Sequence, residues 1–120
     1  MKDKKNLAYQ VTREGATEPP FSGKYLNNEK EGYYLCTNCN KVIFSSDHKF
    51  DSGTGWPSFF TLVDKQAVEE LEDNSYGMKR VEVKCSKCNS HLGHLFPDGP
   101  PPTGLRYCIN SVALNFREKK

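Results

Sequence analysis

Five cysteines carry most of the chemical information in these 120 residues. Four stand as two C-x-x-C knuckles, Cys36-Thr37-Asn38-Cys39 and Cys85-Ser86-Lys87-Cys88. A knuckle lets two thiolates grip one ion from a tight turn whose amides face the sulfurs. Four thiolates complete the tetrahedral shell that structural zinc prefers, with no open position. Asn40 and Asn89 each follow a knuckle directly and suit the left-handed backbone that such turns need. The gap between the knuckles is longer than in a simple zinc ribbon, so the ion staples two hairpins distant in sequence. Structural zinc contributes on the order of 10–16 kcal/mol, coupled to folding. The alternative is a pair of redox dithiols, which normally accompany a βαβ pattern that is missing here.

Cys108 is left over, in Leu105-Arg106-Tyr107-Cys108-Ile109-Asn110. Residues two apart on a strand share a face, so Arg106, Cys108 and Asn110 point one way. Nearby positive charge lowers a thiol from about 8.5 toward neutrality, which would make Cys108 a nucleophile; the plain alternative is a buried core cysteine. After the second knuckle comes Ser90-His91-Leu92-Gly93-His94-Leu95-Phe96. His91 and His94 could be ligands, acid–base groups or polar residues near a turn. Their odd spacing puts the rings on opposite faces of a strand unless Gly93 bends it. His48 has no motif around it and reads as a surface residue. Trp56, the one tryptophan, is a core or lid aromatic, or an indole face for a small apolar group such as a methyl.

The elements that must position these groups are short. Residues 7–14 suit a helix that ends by Gly15, and residues 18–23, with Pro19 and Pro20, are extended and turn-rich. Residues 33–35 and 41–44 read as a hairpin around the first knuckle. Residues 51–55 form a loop before Trp56. Residues 64–71 look helical by composition, yet Val68 and Leu71 fit equally well on a strand entering a turn at residues 73–77. Residues 80–85 alternate, with Val81, Val83 and Cys85 on one face and Arg80, Glu82 and Lys84 on the other. The proline-rich stretch 98–104 must be loop, and residues 105–116 form the longest strand candidate. A mainly β fold of antiparallel strands follows, as one domain over residues 1–120.

Apolar residues make up 36% of the chain, so the core is small and a structural metal would help it. The net charge is +2 and the lysines are scattered rather than gathered in the stripe of a phosphate-backbone binder, so nucleic acid is not expected. No stretch is long enough to span a membrane. The first residues are not followed by the apolar run of a secretory signal, and an odd cysteine count does not suit a secreted disulfide scaffold. The expected location is the cytoplasm.

Four segments together resemble the methionine-R-sulfoxide reductases: residues 15–23 (GATEPPFSG), 49–59 (KFDSGTGWPSF), 91–100 (HLGHLFPDGP) and 104–111 (GLRYCINS). The resemblance runs from about Leu7 to Phe116. It implies two small antiparallel sheets with a short N-terminal helix and one structural zinc ion on Cys36, Cys39, Cys85 and Cys88, away from the active site. It implies Cys108 as nucleophile and His94 as acid, with His91, Asn110, Arg106 and Trp56 lining the sulfoxide pocket. The implied substrate is methionine-R-sulfoxide, free or in oxidised proteins. The implied cycle passes through a cysteine sulfenic acid that thioredoxin or a small thiol reduces, with a monomer as the working unit. Many members carry a resolving cysteine between the two glycines before the tryptophan; here that residue is Thr54. A zinc-ribbon-like binding module would explain the knuckles but not the Cys108 strand, and a thiol redox sensor would use Cys108 without turnover.

Overall fold

The structure, a computed structural model, describes residues 6–74 and 77–119. These residues form one helix, α1 (Leu7–Glu14), and nine strands: β1 (Gly32–Cys36), β2 (Val42–Ser45), β3 (Lys49–Phe50), β4 (Ser58–Phe59), β5 (Val68–Asp73), β6 (Arg80–Cys85), β7 (His91–Phe96), β8 (Arg106–Ile109) and β9 (Leu114–Glu118). Every pairing is antiparallel. One sheet has the order β2-β1-β9 and the other β3-β4-β8-β7-β6-β5, so the antiparallel β fold read from the residues is divided into the two sheets that the family resemblance implied.

Local chemistry sets the helix ends. Asn6 Oδ1 accepts the Tyr9 N–H at 2.8 Å, satisfying one of the free donors of the first turn. Gly15 adopts φ 73° and returns its N–H to the last carbonyls, the left-handed stop that glycine makes without strain. Residues 64–71 settle on the strand alternative. Asp64 caps a single 3-10 turn, Lys65–Ala67, and β5 begins at Val68. The turn expected over residues 73–77 falls partly on Ser75 and Tyr76, which lie outside the described residues.

The two sheets meet through aromatic rings. Phe44 of β2 stacks on Phe59 of β4 with centroids 4.2 Å apart and planes at 11°. Tyr34 of β1 meets the same Phe59 edge-on at 5.1 Å. Such pairs add to the large apolar area that each ring removes from water, which suits a chain with few aliphatic residues.

Residues 105–116 are not one strand. Asn110 turns out of the ladder, because both its backbone N–H and its side-chain amide donate to the Leu92 carbonyl, at 2.9 and 3.0 Å. A 3-10 turn, Ser111–Ala113, follows, and its Val112 N–H donates to the Glu18 carboxylate at 3.0 Å. The chain thereby crosses from β8 in one sheet to β9 in the other.

Between β6 and β7 the register slips: Val83 lies opposite Gly93 but Lys84 lies opposite His91. Leu92 is the extra residue of a bulge, which shifts the alternation of faces by one. His91 and His94 therefore share a face, with ring centroids 5.4 Å apart. Gly93 permits this by letting β8 come close: a Cβ there would run into the Cys108 carbonyl and sit 2.9 Å from Ile109 Cα. Gly93→Ala is expected to destabilise the fold by about 1–3 kcal/mol, the usual cost of overpacking, with loss of any activity that depends on Cys108. Equilibrium urea unfolding checks this; an unchanged midpoint would mean that β7 and β8 have room to part.

Candidate active site and metal centre

Strand pairing sets the site. Cys108 on β8 lies opposite His94 on β7 and opposite Ser58 on β4. A cleft of about 100 Å³ opens on this ladder, lined by Thr17, Trp56, Arg80, Gly93, His94, Phe96, Cys108 and Asn110. Of the residues singled out in the sequence, Cys108, His94, Asn110 and Trp56 therefore converge on one small space. His91 and Arg106 stand beside it. His91 lines a neighbouring cleft with Thr12, Glu82, Lys84 and Asn89. Arg106 pairs with Asp98 through Nε at 2.9 Å and Nη2 at 3.3 Å, and its guanidinium lies 4.3 Å over the Phe96 ring.

The thiol environment differs from the sequence expectation. Burial pushes the Cys108 thiol up, and its interactions with the Thr54 hydroxyl and with Arg106 only partly offset this, while the Glu18 charge adds to the rise. Thr54 Oγ1 lies 4.0 Å from Cys108 Sγ. The basic neighbour is where the sequence placed it, but loss of hydration outweighs it, because a thiolate needs solvent more than a thiol does.

Each histidine is held by a carboxylate. His94 Nε2 lies 2.8 Å from Asp73 Oδ2, and His91 Nδ1 lies 2.7 Å from Glu82 Oε2. An ionised carboxylate only accepts, so these ring nitrogens carry the protons. His91 is 4% exposed, and burial lowers its pKa against the pull of Glu82. It is neutral at pH 7, and its Nε2, buried without a partner among the described residues, is then an acceptor. The two rings are thus distinct, and His94 is the one in the cleft with Cys108.

Glu18 was not singled out in the sequence, although it organises this corner. Its carbonyl accepts the Trp56 indole N–H at 2.9 Å, its N–H donates to Asn110 Oδ1 at 2.9 Å, and its carboxylate takes the Val112 N–H. The side chain is 1% exposed, and Oε2 has no partner among the described residues. The indole plane and the Asn110 amide are both fixed by this one residue. The polyproline-like setting Glu18-Pro19-Pro20 marks a rigid turn-rich stretch, but nothing in it says that the glutamate points inward. His48, expected at the surface, is half-buried against the Phe60 ring at 5.4 Å.

The knuckles close the two hairpins and face one another. The four Sγ atoms of Cys36, Cys39, Cys85 and Cys88 lie within 4.8 Å of one another, with Cys36 to Cys88 and Cys39 to Cys85 each at 3.5 Å. Cys36 ends β1 and Cys85 ends β6, so the cluster joins the two sheets. Asn40 and Asn89 take φ 64° and 66°, as their place after each knuckle suggested. Burial pushes the Cys36, Cys39 and Cys85 thiols up. At Cys88 burial also acts upward, but Ser90 and the neighbouring thiols outweigh it and bring the group down to about 6. Ser90 bridges the knuckles: its Oγ lies 3.0 Å from Cys88 Sγ and accepts from Asn38 Nδ2 at 2.8 Å. Four thiolates this close repel one another unless a cation sits among them, so the donor set fits a metal ion of tetrahedral preference.

Comparison with known proteins agrees with this geometry. The SelR domain family matches residues 5–118. A protein of Thioalkalivibrio sulfidiphilus named peptide methionine sulfoxide reductase MsrB is 57% identical over 110 residues, covering 92% of this chain and 80% of that one. A protein of the same name from Pseudomonas savastanoi pv. phaseolicola is 61% identical over 108 residues, covering 90% and 82%. Another from Photorhabdus laumondii is 52% identical over 118 residues, covering 98% and 87%. Among solved structures, the Mis18 'Yippee-like' domain superposes with a TM-score of 0.59 at 16% identity, covering 76% of this chain and 99% of that chain, a likeness of fold alone. With the family matched almost end to end and curated relatives more than half identical, the chain belongs to the SelR domain family.

Proposed function

We propose that this protein is an oxidoreductase that reduces the R epimer of methionine sulfoxide, free or in oxidised proteins, to methionine, with Cys108 as the nucleophile. The observation that carries the reading is the ladder pair of Cys108 and His94 in a cleft lined also by Trp56. The thiol sulfur, a carboxylate-held imidazole and an indole face are what a methyl sulfoxide needs: an attacking atom, a proton donor and an apolar seat. The relatives named peptide methionine sulfoxide reductase support the substrate class.

The reaction balances with these groups alone. Cys108 sulfur attacks the sulfoxide sulfur and forms a sulfur–sulfur bond, while the thiol proton is relayed by His94, held by Asp73, to the sulfoxide oxygen. The hydroxyl then passes from the methionine sulfur to the Cys108 sulfur as the sulfur–sulfur bond and the original sulfur–oxygen bond break, so methionine leaves as a thioether and Cys108 is left as a sulfenic acid. Two electrons have passed from the cysteine to the sulfoxide. Because the resting thiol is raised by burial, its ionisation belongs to the substrate-bound state. Asn110 and Glu18 hold the frame, Arg106 supplies positive charge beside the sulfur, and Trp56 seats the methyl. His91, neutral and bonded to Glu82, steadies the face on which His94 stands.

Regeneration uses an external thiol. With Thr54 at the usual resolving position, one thiol displaces water from the sulfenic acid to give a mixed disulfide, and a second thiol releases Cys108. Thioredoxin or a small-molecule thiol suits this role. Cys36, Cys39, Cys85 and Cys88, with two sulfur pairs at 3.5 Å and all four within 4.8 Å of one another, would hold one structural zinc ion in the four-thiolate shell that it prefers. Bound there, it would clamp the two sheets and keep these cysteines out of the redox step. The whole chain acts as one domain and as a monomer in the cytoplasm, where a reducing compartment keeps thiols free, with neither nucleic acid nor membrane as partner. Among the described residues no helix is long and apolar enough to cross a membrane.

Turnover on methionine-R-sulfoxide with dithiothreitol tests the reading. Cys108→Ser is expected to abolish it, and His94→Ala to slow the reduction step by roughly 10²–10⁴-fold, the range for a lost general acid. A full single-turnover rate in the His94 variant at every pH would assign the proton donor elsewhere, and equal reduction of both epimers would refute the seating of the methyl on Trp56. Metal analysis is expected to find one zinc per chain, retained in Cys108→Ser and lost together with stability in Cys36→Ser; loss from the Cys108 variant would sink the ligand assignment.

One turnover without reductant is expected to yield about one methionine per enzyme, since a lone thiol passes on a single electron pair. A dimedone-type trap should then mark Cys108. Thr54→Cys should instead form a disulfide with Cys108, given that the hydroxyl it replaces lies 4.0 Å from the sulfur and the loop can reach ordinary disulfide geometry. A wild-type bridge from Cys108 to a knuckle cysteine, with zinc expelled, would overturn the external-thiol route.

A further inference from the structure

Three hydroxyls run in line to the sulfur of Cys108. Ser58, fully buried and opposite Cys108 in the β4–β8 ladder, donates its O–H to the Trp56 carbonyl at 3.1 Å. Ser52 Oγ lies 2.7 Å from Ser58 Oγ and 2.8 Å from Thr54 Oγ1. It also accepts the Thr54 N–H at 3.3 Å. Thr54 Oγ1 is the end of the line, 4.0 Å from Cys108 Sγ.

Each hydroxyl owns a single proton and can donate once. With the Ser58 proton committed to the Trp56 carbonyl, Ser52 must donate to Ser58, and Thr54 to Ser52. Thr54 then meets Cys108 with lone pairs only, and is an acceptor for the thiol S–H. A thiolate needs the reverse. For Thr54 to donate to sulfur, Ser52 must turn its proton to Thr54, and Ser58 must turn its own to Ser52, leaving the Trp56 carbonyl without that donor. No proton changes oxygen; three O–H bonds rotate together.

We propose that this Ser58–Ser52–Thr54 chain is a directional switch on Cys108, in which Thr54 accepts from the thiol at rest and becomes a donor to the sulfur only when all three hydroxyls reverse. Thr54 is the group that touches the reacting sulfur; Ser52 and Ser58 are positioning residues that decide which way Thr54 points. The inference rests on the reading of Cys108 as nucleophile, and it gives the residue at the resolving position a task of its own. The other charges around the sulfur are held in pairs: Arg106, which also acts on the sulfur, is paired with Asp98, His94 with Asp73, Arg80 with Asp73 at the cleft wall, and Glu18 is tied to Val112. The hydroxyl chain is therefore the part of the surroundings that can reorient without breaking an ion pair.

The test is the pH dependence of Cys108 alkylation by iodoacetamide in the zinc-loaded protein, followed by mass spectrometry at that residue and run without any sulfoxide. Thr54→Val removes the donor and should raise the apparent thiol pKa. Ser52→Ala frees the Thr54 proton to turn toward sulfur and should lower it, and Ser58→Ala, which frees Ser52 in turn, should shift it the same way. Shifts of about half a unit to one unit are expected, because a hydrogen bond to a charged group at ordinary length moves a pKa by about one to two units and this contact is long, at 4.0 Å. Thr54→Ser should return the wild-type profile. Opposite signs for the threonine and serine variants support the switch, since a merely structural loss would move both alike. Shifts in one direction, no shift, or failure of Thr54→Ser to restore the profile overturn it. Sulfoxide turnover by the same variants is read separately, so a protein with no reductase activity but opposite alkylation shifts would fail the functional reading and keep this one.

Discussion

The approach of β7 to β8 at Gly93 is the constraint on which the site depends. A side chain there would collide with the Cys108 carbonyl, so the two central strands of the larger sheet can pair only because this position has none. The bulge at Leu92 comes with the same approach. Without it, His91 and His94 would fall on opposite faces, as strict alternation requires. With it, both rings come to the Glu82 and Asp73 side of the sheet, and His94 stands across the ladder from Cys108. One residue type thus decides register, histidine placement and the closeness of His94 to Cys108.

A second constraint acts from the opposite wall. Glu18 is a fully buried carboxylate in a chain with a modest core, and burying such a group is costly unless its hydrogen bonds are met. Only the Val112 N–H, which opens the turn into β9, reaches the carboxylate; the Trp56 indole bonds to the Glu18 carbonyl and the Glu18 N–H to the Asn110 amide oxygen. Side chain and backbone of this one residue therefore fix the indole plane, hold Asn110 and send the chain to the other sheet. The neighbouring stretch holds a left-handed residue: Phe21 takes φ 62° while its N–H donates to the Gly55 carbonyl at 2.7 Å.

Much of this was legible in the residues. The knuckles with their trailing asparagines, the helix between Asn6 and Gly15, the alternating strand at residues 80–85 and the shared face of Cys108 and Asn110 all follow from local chemistry and spacing. What was not legible depended on contacts distant in sequence. Residues 105–116 look like one strand because every side chain suits it. The break comes from Leu92 and Glu18, 18 and 94 residues away along the chain. The strand character of Val68 needed β6 beside it. The sign of the Cys108 shift was misjudged because Arg106 can be read from spacing, whereas burial cannot; the arginine is present, yet desolvation is the larger effect. Asp73 and Glu82 as histidine partners were visible only as charges on strands, and became partners through the register of β5, β6 and β7.

The five cysteines show how one functional group is made to do two kinds of work by its surroundings. At the knuckles, backbone amides from the tight turns face the sulfurs, and four thiols are packed closely enough that ionisation and metal binding are one event. At Cys108 no second thiol stands close by among the described residues, and burial favours the neutral thiol over the opposing pull of Thr54 and Arg106. A permanent thiolate would suit a ligand. A nucleophile that meets an oxidant as its substrate gains from the opposite arrangement, because a resting thiolate is also the form that peroxide attacks without turnover. The same burial that raises the thiol also strengthens the attraction of Arg106 for any negative charge that develops on its sulfur. Burial, which opposes the resting anion, is in this way what makes the neighbouring cation effective.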